Sequence, residues 1–439
     1  MKWYMAATLF IFGTSGWSQE VDVQQGPGGP GVRNGLHLYD VSVSTGASFF
    51  NGASVDGSTP GSCNCYTLGS VTGGYSHASA LNDFNAAYTP SFWDRFGGGG
   101  FHSLDQSLRF SYESRFRPQW TFSLSGSGND SSVEQLLFLP TLSSSGPTAG
   151  SSPADQLGSF VTSTLTPATP AANLLYGGRI LTFGGRAAIT YRPSSRLRIS
   201  LGGGEFEAQT RNPGAGTAAT IVDIVPRTRY DNVELDLGYS LTPLSEVGTE
   251  FSSMTYHTVF GDYRTVLAQG SYARKLSPHW MTLLQGGAGT YTPLGTALHG
   301  AGSSFTGGAN LGYDGPRNSF LFGYQKSLGD VYGLAASSTE GFQGTWKWRM
   351  PGRNWSAYAT LGRQRLTGGA LVAAASNWEA TVGVTRPLTP RTWMTLSYGY
   401  VMDTLTPTTV YNSLSANVVR LTFTWTPVVE NQPAGAPLD

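Results

Sequence analysis

The stretch Val419-Arg420-Leu421-Thr422-Phe423-Thr424-Trp425 alternates apolar residues with Arg or Thr, and its apolar members grow more aromatic toward the end. Successive side chains on a strand point to opposite sides, so Val419, Leu421, Phe423 and Trp425 share one surface and Arg420, Thr422 and Thr424 share the other. The same division separates Leu108, Phe110, Tyr112 and Phe116 from Arg109, Ser111, Glu113 and Arg115, and Val233, Leu235, Leu237 and Tyr239 from Glu234, Asp236 and Ser240. It recurs between Phe342, Trp346, Trp348 and Gln343, Lys347, Arg349, and between Trp378, Ala380, Val382, Val384 and Glu379, Thr381, Thr385. In each, the charges keep to one face. One face for hydrocarbon and one for water is the grammar of a transmembrane β-barrel, where Arg or Lys on the lipid side costs roughly 2 to 4 kcal/mol at midplane.

Proline-centred turns punctuate these segments: Arg117-Pro118-Gln119-Trp120, Arg192-Pro193-Ser194-Ser195-Arg196, Leu241-Thr242-Pro243-Leu244, Leu276-Ser277-Pro278-His279-Trp280, Gly315-Pro316-Arg317-Asn318, Pro351-Gly352-Arg353-Asn354-Trp355 and Leu388-Thr389-Pro390-Arg391-Thr392-Trp393. Proline presets a turn dihedral and cannot sit in a central ladder. The later turns recur about every 35 to 40 residues, which equals two strands of about 10 residues, one tight turn and one longer loop. Trp120, Trp280, Trp355 and Trp393 each follow a turn, at the depth of an interfacial aromatic girdle. Two strands per turn, one leading in near Asp83 to Thr89 and one at the C-terminus make about 16. A further pair, Leu38 to Phe50 and Tyr66 to Tyr75 with a turn near His77 to Ala80, raises the count to about 18. A barrel of that size is wide enough for an aqueous channel.

Residues 1–18 read as a secretory signal peptide, with Lys2, an apolar run from Met5 to Phe12, and the small-x-small pattern Gly16-Trp17-Ser18. Beyond it no apolar run approaches the length of a membrane helix. Residues 19–78 form a Gly/Ser-rich segment that can include the first strand pair, 79–427 the barrel, and 428–439 a polar tail. Charged residues are 12% of the chain, about half the usual share, which suits a barrel better than a dispersed soluble domain. The formal net charge is zero, so no global field recruits nucleic acid. A soluble propeller or sandwich also alternates; the leader, the aromatics beside the turns and the strand length point to the barrel instead.

From about residue 80 to 427 the chain resembles the outer-membrane β-barrel proteins of Gram-negative bacteria, porin-like members included. Its last strand, with Leu421, Phe423 and Trp425, resembles the signal read by the barrel-assembly machinery, although such barrels usually stop at the terminal aromatic and this chain continues to Asp439. The resemblance implies an up-and-down antiparallel barrel in the outer membrane, in contact with lipid and the assembly machinery.

For function, the charged faces supply a polar lumen through Arg109, Arg115, Arg186, Arg198, Glu234, Asp236, Glu250, Lys347, Arg349 and Glu379. This favours a passive channel for small polar solutes, without cofactor or metal. The alternative is a loop-plugged barrel acting as a scaffold or as a partner in polysaccharide export. Arg186, Arg192, Arg196 and Arg198 fall on two consecutive strands and Glu234, Asp236, Glu246 and Glu250 on the next two. Such segregation either sets up a transverse field or lets neighbours pair into a neutral wall. Between Gly128 and Tyr176 the alternation lapses, and Ala154 to Leu165 could form a short amphipathic helix; the segment, residues 140–170 above all, reads as a surface loop or an inward-folded constriction. Cys63-Asn64-Cys65 lies in a Gly/Ser/Thr/Pro-rich stretch where export favours a loop disulfide, strained across a single intervening residue. Some barrels of this kind are lipases, deacylases or proteases, but the chain has no G-x-S-x-G or H-E-x-x-H motif. Its six histidines, His37, His77, His102, His257, His279 and His299, read mostly as turn or loop residues, with His257 near Asp262 at an outer strand end as the one pairing to note.

Overall fold

The computed structural model describes residues 34–51, 63–96, 101–132, 179–211, 227–258, 261–295, 302–330, 336–350, 355–367, 374–406 and 413–427. These form one antiparallel sheet of nineteen strands. The first six are β1 (Gly35–Asn51), β2 (Cys63–Ala78), β3 (Asn82–Tyr88), β4 (Ser91–Phe96), β5 (Phe101–Arg117) and β6 (Trp120–Ser132). Next come β7 (Arg179–Tyr191), β8 (Leu197–Arg211), β9 (Thr228–Thr242), β10 (Ser245–Thr258), β11 (Gly261–Lys275) and β12 (Trp280–Pro293). The remainder are β13 (Gly302–Asp314), β14 (Asn318–Asp330), β15 (Ala336–Arg349), β16 (Ser356–Thr367), β17 (Ala374–Thr389), β18 (Thr392–Thr406) and β19 (Ser413–Trp425).

β3 and β4 are two halves of a single stave. Both pair with β2 on one side and β5 on the other, and they part at Thr89-Pro90, where proline has no N–H to give the ladder. Eighteen staves therefore run up and down, and β19 closes on β1 from Val41 opposite Trp425 to Asn51 opposite Ser415. Closure leaves no open edge, the condition for a sheet to cross hydrocarbon.

The proline-centred turns among the described residues gather at one end of the barrel, together with the start of β1 and the end of β19. Three share a Ser/Thr-Pro pattern in which the hydroxyl accepts a backbone N–H beyond the proline: Thr242 from Leu244, Ser277 from His279 and Trp280, and Thr389 from Arg391, each at 3.2 Å. Short turns mark the periplasmic end and long connections the outer end.

Which face is inner follows from burial. Val43, Leu104, Leu201, Val233, Phe251, Val266, Leu284, Phe322, Leu361, Val382 and Leu396 are exposed, whereas Ser42, Ser44, Ser70, Ser107, Ser200, Thr360, Thr395 and Thr422 on the opposite face are buried. So large a continuous apolar exterior is incompatible with water and matches a bilayer. Near the turns the exterior carries packed rings, Trp120 stacked on Tyr191 at 4.4 Å and Trp280 tilted against Tyr313 at 5.0 Å and edge-on to Phe320 at 5.1 Å.

Several expectations need correction. Complete staves hold 12 to 17 residues rather than about 10, because the pairing continues past the hydrocarbon. Trp393 shares its face with the buried Thr395 and Ser397, so it points inward and does not belong to the girdle. Arg192 and Arg196 lie in the β7–β8 turn, not on strand faces. Cys63 and Cys65 fall within β2, paired with Phe49 and Ala47, rather than in a loop. His37, His77 and His102 likewise stand on strands rather than in turns or loops, whereas His257 stands at the outer end of β10 as expected. The leader 1–18, the tail 428–439, residues 140–170 and the short helix at 154–165 lie outside the described residues.

Candidate functional site

The inner wall is polar because alternation delivers hydroxyls to it in cross-strand pairs. Ser42 meets Ser70 at 2.7 Å, Ser44 meets Thr422 at 2.9 Å, Thr385 meets Thr395 at 2.9 Å and Thr190 meets Ser200 at 3.1 Å. Each pair satisfies two polar groups that would otherwise be buried unmet.

Charge enters this wall on β7 to β11. Arg186 on β7 forms an ion pair with Glu234 on β9, passing over β8 where Gly202 and Gly204 leave room. A Cβ on Gly202 would stand 3.0 Å from Glu234 Oε1. One strand further on, Arg198 of β8 donates to Glu246 of β10 at 3.1 Å, across Gly238 of β9. There a Cβ would come within 2.5 Å of Glu246 Oε1 and 3.2 Å of Arg198 Nε. Close approach of side chains, not backbone conformation, thus favours glycine at both positions: a Cβ at Gly238 would force Glu246 to shift, and one at Gly202 would make Glu234 give by a few tenths of an ångström. Asp236 and Glu250 face each other in register, and Gln269 donates to Glu250 at 2.5 Å. Neighbour pairing therefore neutralises part of the wall, while two arginines meeting four carboxylates still leave it acidic.

The other sequence-derived candidates are dispersed. Arg109 stands on the inner face of β5 between Ala87 and Ser127, exposed and with no carboxylate at ion-pair distance among the described residues. Arg115 meets Glu113 at 3.1 Å. Lys347 and Arg349 are exposed on the inner face of β15, and Glu379 lies two staves away on β17. β10 and β19 are nine staves apart and so diametrically opposed. Arg420 on β19 is buried and donates to the Tyr66 hydroxyl at 3.2 Å. Tyr66 and Trp93 stack at 5.1 Å on the inner face, each only 2% exposed.

At the outer rim the polarity of the faces reverses. Phe206, Tyr230, Tyr256 and Tyr263 are cross-strand partners on β8 to β11, turned inward with successive ring centroids 5.0, 5.5 and 5.1 Å apart, the first and last pairs stacked and the middle pair tilted. Their neighbours Glu205, Glu207, Arg229, Asp231, His257, Asp262 and Arg264 point outward. Arg229 meets Glu205 at 2.9 Å, and Arg227 meets Glu207 at 2.5 Å, a hydrogen bond that raises the Arg227 guanidinium above its ordinary value. His257 lies 3.1 Å from Asp262 and 3.6 Å from Asp231, tying β9, β10 and β11 together on the side away from the lumen. Beyond the pairing of His257 with Asp262, sequence reasoning missed this band, although the triplets Glu205-Phe206-Glu207, Arg229-Tyr230-Asp231 and Asp262-Tyr263-Arg264 announce it. A second missed element is Arg179, which bonds Asp130 at 2.9 Å, Ser103 at 3.0 Å and the Leu104 carbonyl at 2.7 Å, with Asp105 at 3.5 Å.

Closure, the apolar exterior and the polar interior together define a transmembrane β-barrel of the outer-membrane type. No protein-family model matches the chain, and no curated protein matches it. Among solved structures it is similar to a BenF-like porin from Pseudomonas fluorescens Pf-5, with TM-score 0.45 and 12% identity over 89% of this chain and 98% of that one. It is also similar to Pseudomonas aeruginosa OccK9 (OpdG), with TM-score 0.44 and 11% identity over 89% and 98% of the two chains. Acinetobacter baumannii OccAB4 aligns with TM-score 0.41 and 12% identity over 90% and 99%.

Proposed function

We propose that the protein is a passive outer-membrane channel for small polar solutes. The observation that carries this reading is the charged inner wall of an eighteen-stave closed barrel, where Arg109, Lys347 and Arg349 remain exposed although staves surround them. Such groups need water, and a barrel of this size has room for it. Glu234, Asp236, Glu250, Glu379, Arg115, Arg186 and Arg198 complete the lining, with charge of both signs suited to dipolar solutes. Lipid contacts the apolar exterior, and the assembly machinery would engage Leu421, Phe423 and Trp425.

A second reading has one observation in its favour. Tyr66 and Trp93 face inward yet are almost fully covered, as they would be in a plugged barrel serving as a scaffold or export partner. Single-channel recording of purified protein in planar bilayers separates the two. Discrete conductance steps support the channel, and a folded barrel that gives none rejects it.

A further inference from the structure

We propose that the outward faces of β14 to β17 form a docking site for the phosphate groups of a phosphorylated lipid in the outer leaflet. Three consecutive register rows carry the inference. The lowest holds Phe322, Gly344, Leu361 and Ala380, all apolar. The middle row is Tyr324, Phe342, Arg363 and Trp378, and the upper is Lys326, Glu340, Arg365 and Ser376. Hydrocarbon, aromatic girdle and charge thus follow one another toward the outer end, which places the upper rows at the depth of lipid headgroups.

Three cations meet one carboxylate in this patch. Arg365 reaches Glu340 only at 3.8 Å, while Lys326 and Arg363 have no ion-pair partner among the described residues. Arg363 lies over the Trp378 ring at 5.0 Å, and Phe342 packs edge-on against the same ring at 5.6 Å. The indole face attracts the guanidinium, which stays exposed beside it. A planar fork with a second guanidinium one row above and an ammonium two strands away is suited to bind phosphate oxygens at several points. Acyl chains of the same lipid would run down over Phe322, Leu361 and Val382, which are exposed below. The β8 to β11 rim lacks this excess, because Glu205, Glu207, Asp231 and Asp262 offset its arginines.

The test is binding of diphosphorylated lipid A to the full-length barrel in zwitterionic detergent, followed by native mass spectrometry and by titration. Wild type should retain lipid, and the variant Lys326→Gln/Arg363→Gln/Arg365→Gln should bind about 100-fold more weakly, at about fivefold per cation. Dephosphorylated lipid should bind wild type no better than it binds that variant. Removing three charges elsewhere, at Arg227, Arg229 and Arg264, should leave binding unchanged, with heat-modifiable migration confirming the fold of both variants. Equal binding by the triple variant, equal loss in the β8 to β11 control, or displacement by inorganic phosphate at the same concentration as by lipid would overturn the proposal.

Discussion

Replacing Glu234, Asp236 and Glu250 by Gln, Asn and Gln tests the inner wall most directly, and the barrel's dimensions set the size of the effect. Eighteen staves about 4.8 Å apart and tilted by about 40° enclose a backbone cylinder of radius roughly 18 Å, so an ion on the carboxylate side of the axis passes about 10 Å from those groups. At that distance one charge contributes about 0.4 kcal/mol in water, and about 0.3 kcal/mol after screening at about 0.01 M salt, where the Debye length is about 30 Å. Losing three charges changes the energy of each permeating ion by about 0.9 kcal/mol, lowering cation and raising anion occupancy nearly fivefold each, or roughly 20-fold in their ratio. Removing Glu234 also unmasks Arg186, which it pairs in wild type, so the shift runs toward anions. Reversal potentials across planar bilayers under a low-salt gradient measure the ratio. At about 1 M salt the Debye length falls to about 3 Å and the difference between variant and wild type should vanish. A ratio unchanged within twofold at low salt would show that these carboxylates do not face the ions, and their assignment to the permeation path would fall.

Other perturbations probe assembly and the wall's construction. Phe423→Ser with Trp425→Ser strips the lipid face of the closing strand; the protein should accumulate unassembled in the periplasm, and a folded, heat-modifiable outer-membrane band would contradict that role. Arg179→Met leaves Asp105 and Asp130 buried without their counter-charge and should lower stability by about 3 to 5 kcal/mol in urea unfolding; adding Asp105→Asn and Asp130→Asn should restore most of it. Gly238→Ala forces its Cβ against Glu246 and should cost about 1 to 3 kcal/mol, whereas Gly69→Ala, which meets nothing within 4 Å, should be neutral by the same measurement.

The staves were legible in the sequence because each repeats a two-residue period over many residues, so that Val419 to Trp425 or Val233 to Tyr239 admits one facing only. Turn positions were equally plain, since Thr242-Pro243, Ser277-Pro278 and Thr389-Pro390 build their turns from local bonds. Partners across strands were not legible beyond the hairpin neighbours His257 and Asp262. Nothing near Arg198 announces that it reaches Glu246, two strands away, because that contact depends on register and on the absence of a side chain at Gly238. Trp393 was misread for a related reason: Trp280 and Trp393 both follow turns, but the irregular register between Pro387 and Thr389 accompanies a strand whose tryptophan points inward.

Depth is the quantity that alternation alone cannot supply, and the outer rim shows how it can be recovered. Along β9 the outward residues run Tyr239, Leu237, Leu235, Val233, Asp231, Arg229, while the inward ones run Asp236, Glu234, Asn232, Tyr230. The period never changes, yet the assignment of polar and apolar to the two faces inverts between Val233 and Asp231. The same inversion occurs on β10 between Phe251 and His257, and on β11 between Val266 and Arg264. A rule that assigns every charge to the lumen would turn these strand ends inside out. The physical reason for the inversion is that the solvent outside the barrel changes from hydrocarbon to headgroups, where outward charge is no longer penalised, while the aromatic rings inside pack against one another. Inversion without loss of period therefore marks the upper edge of the hydrocarbon, and on β16 the same edge falls between Leu361 and Arg363, beside the ring that holds Arg363 in place.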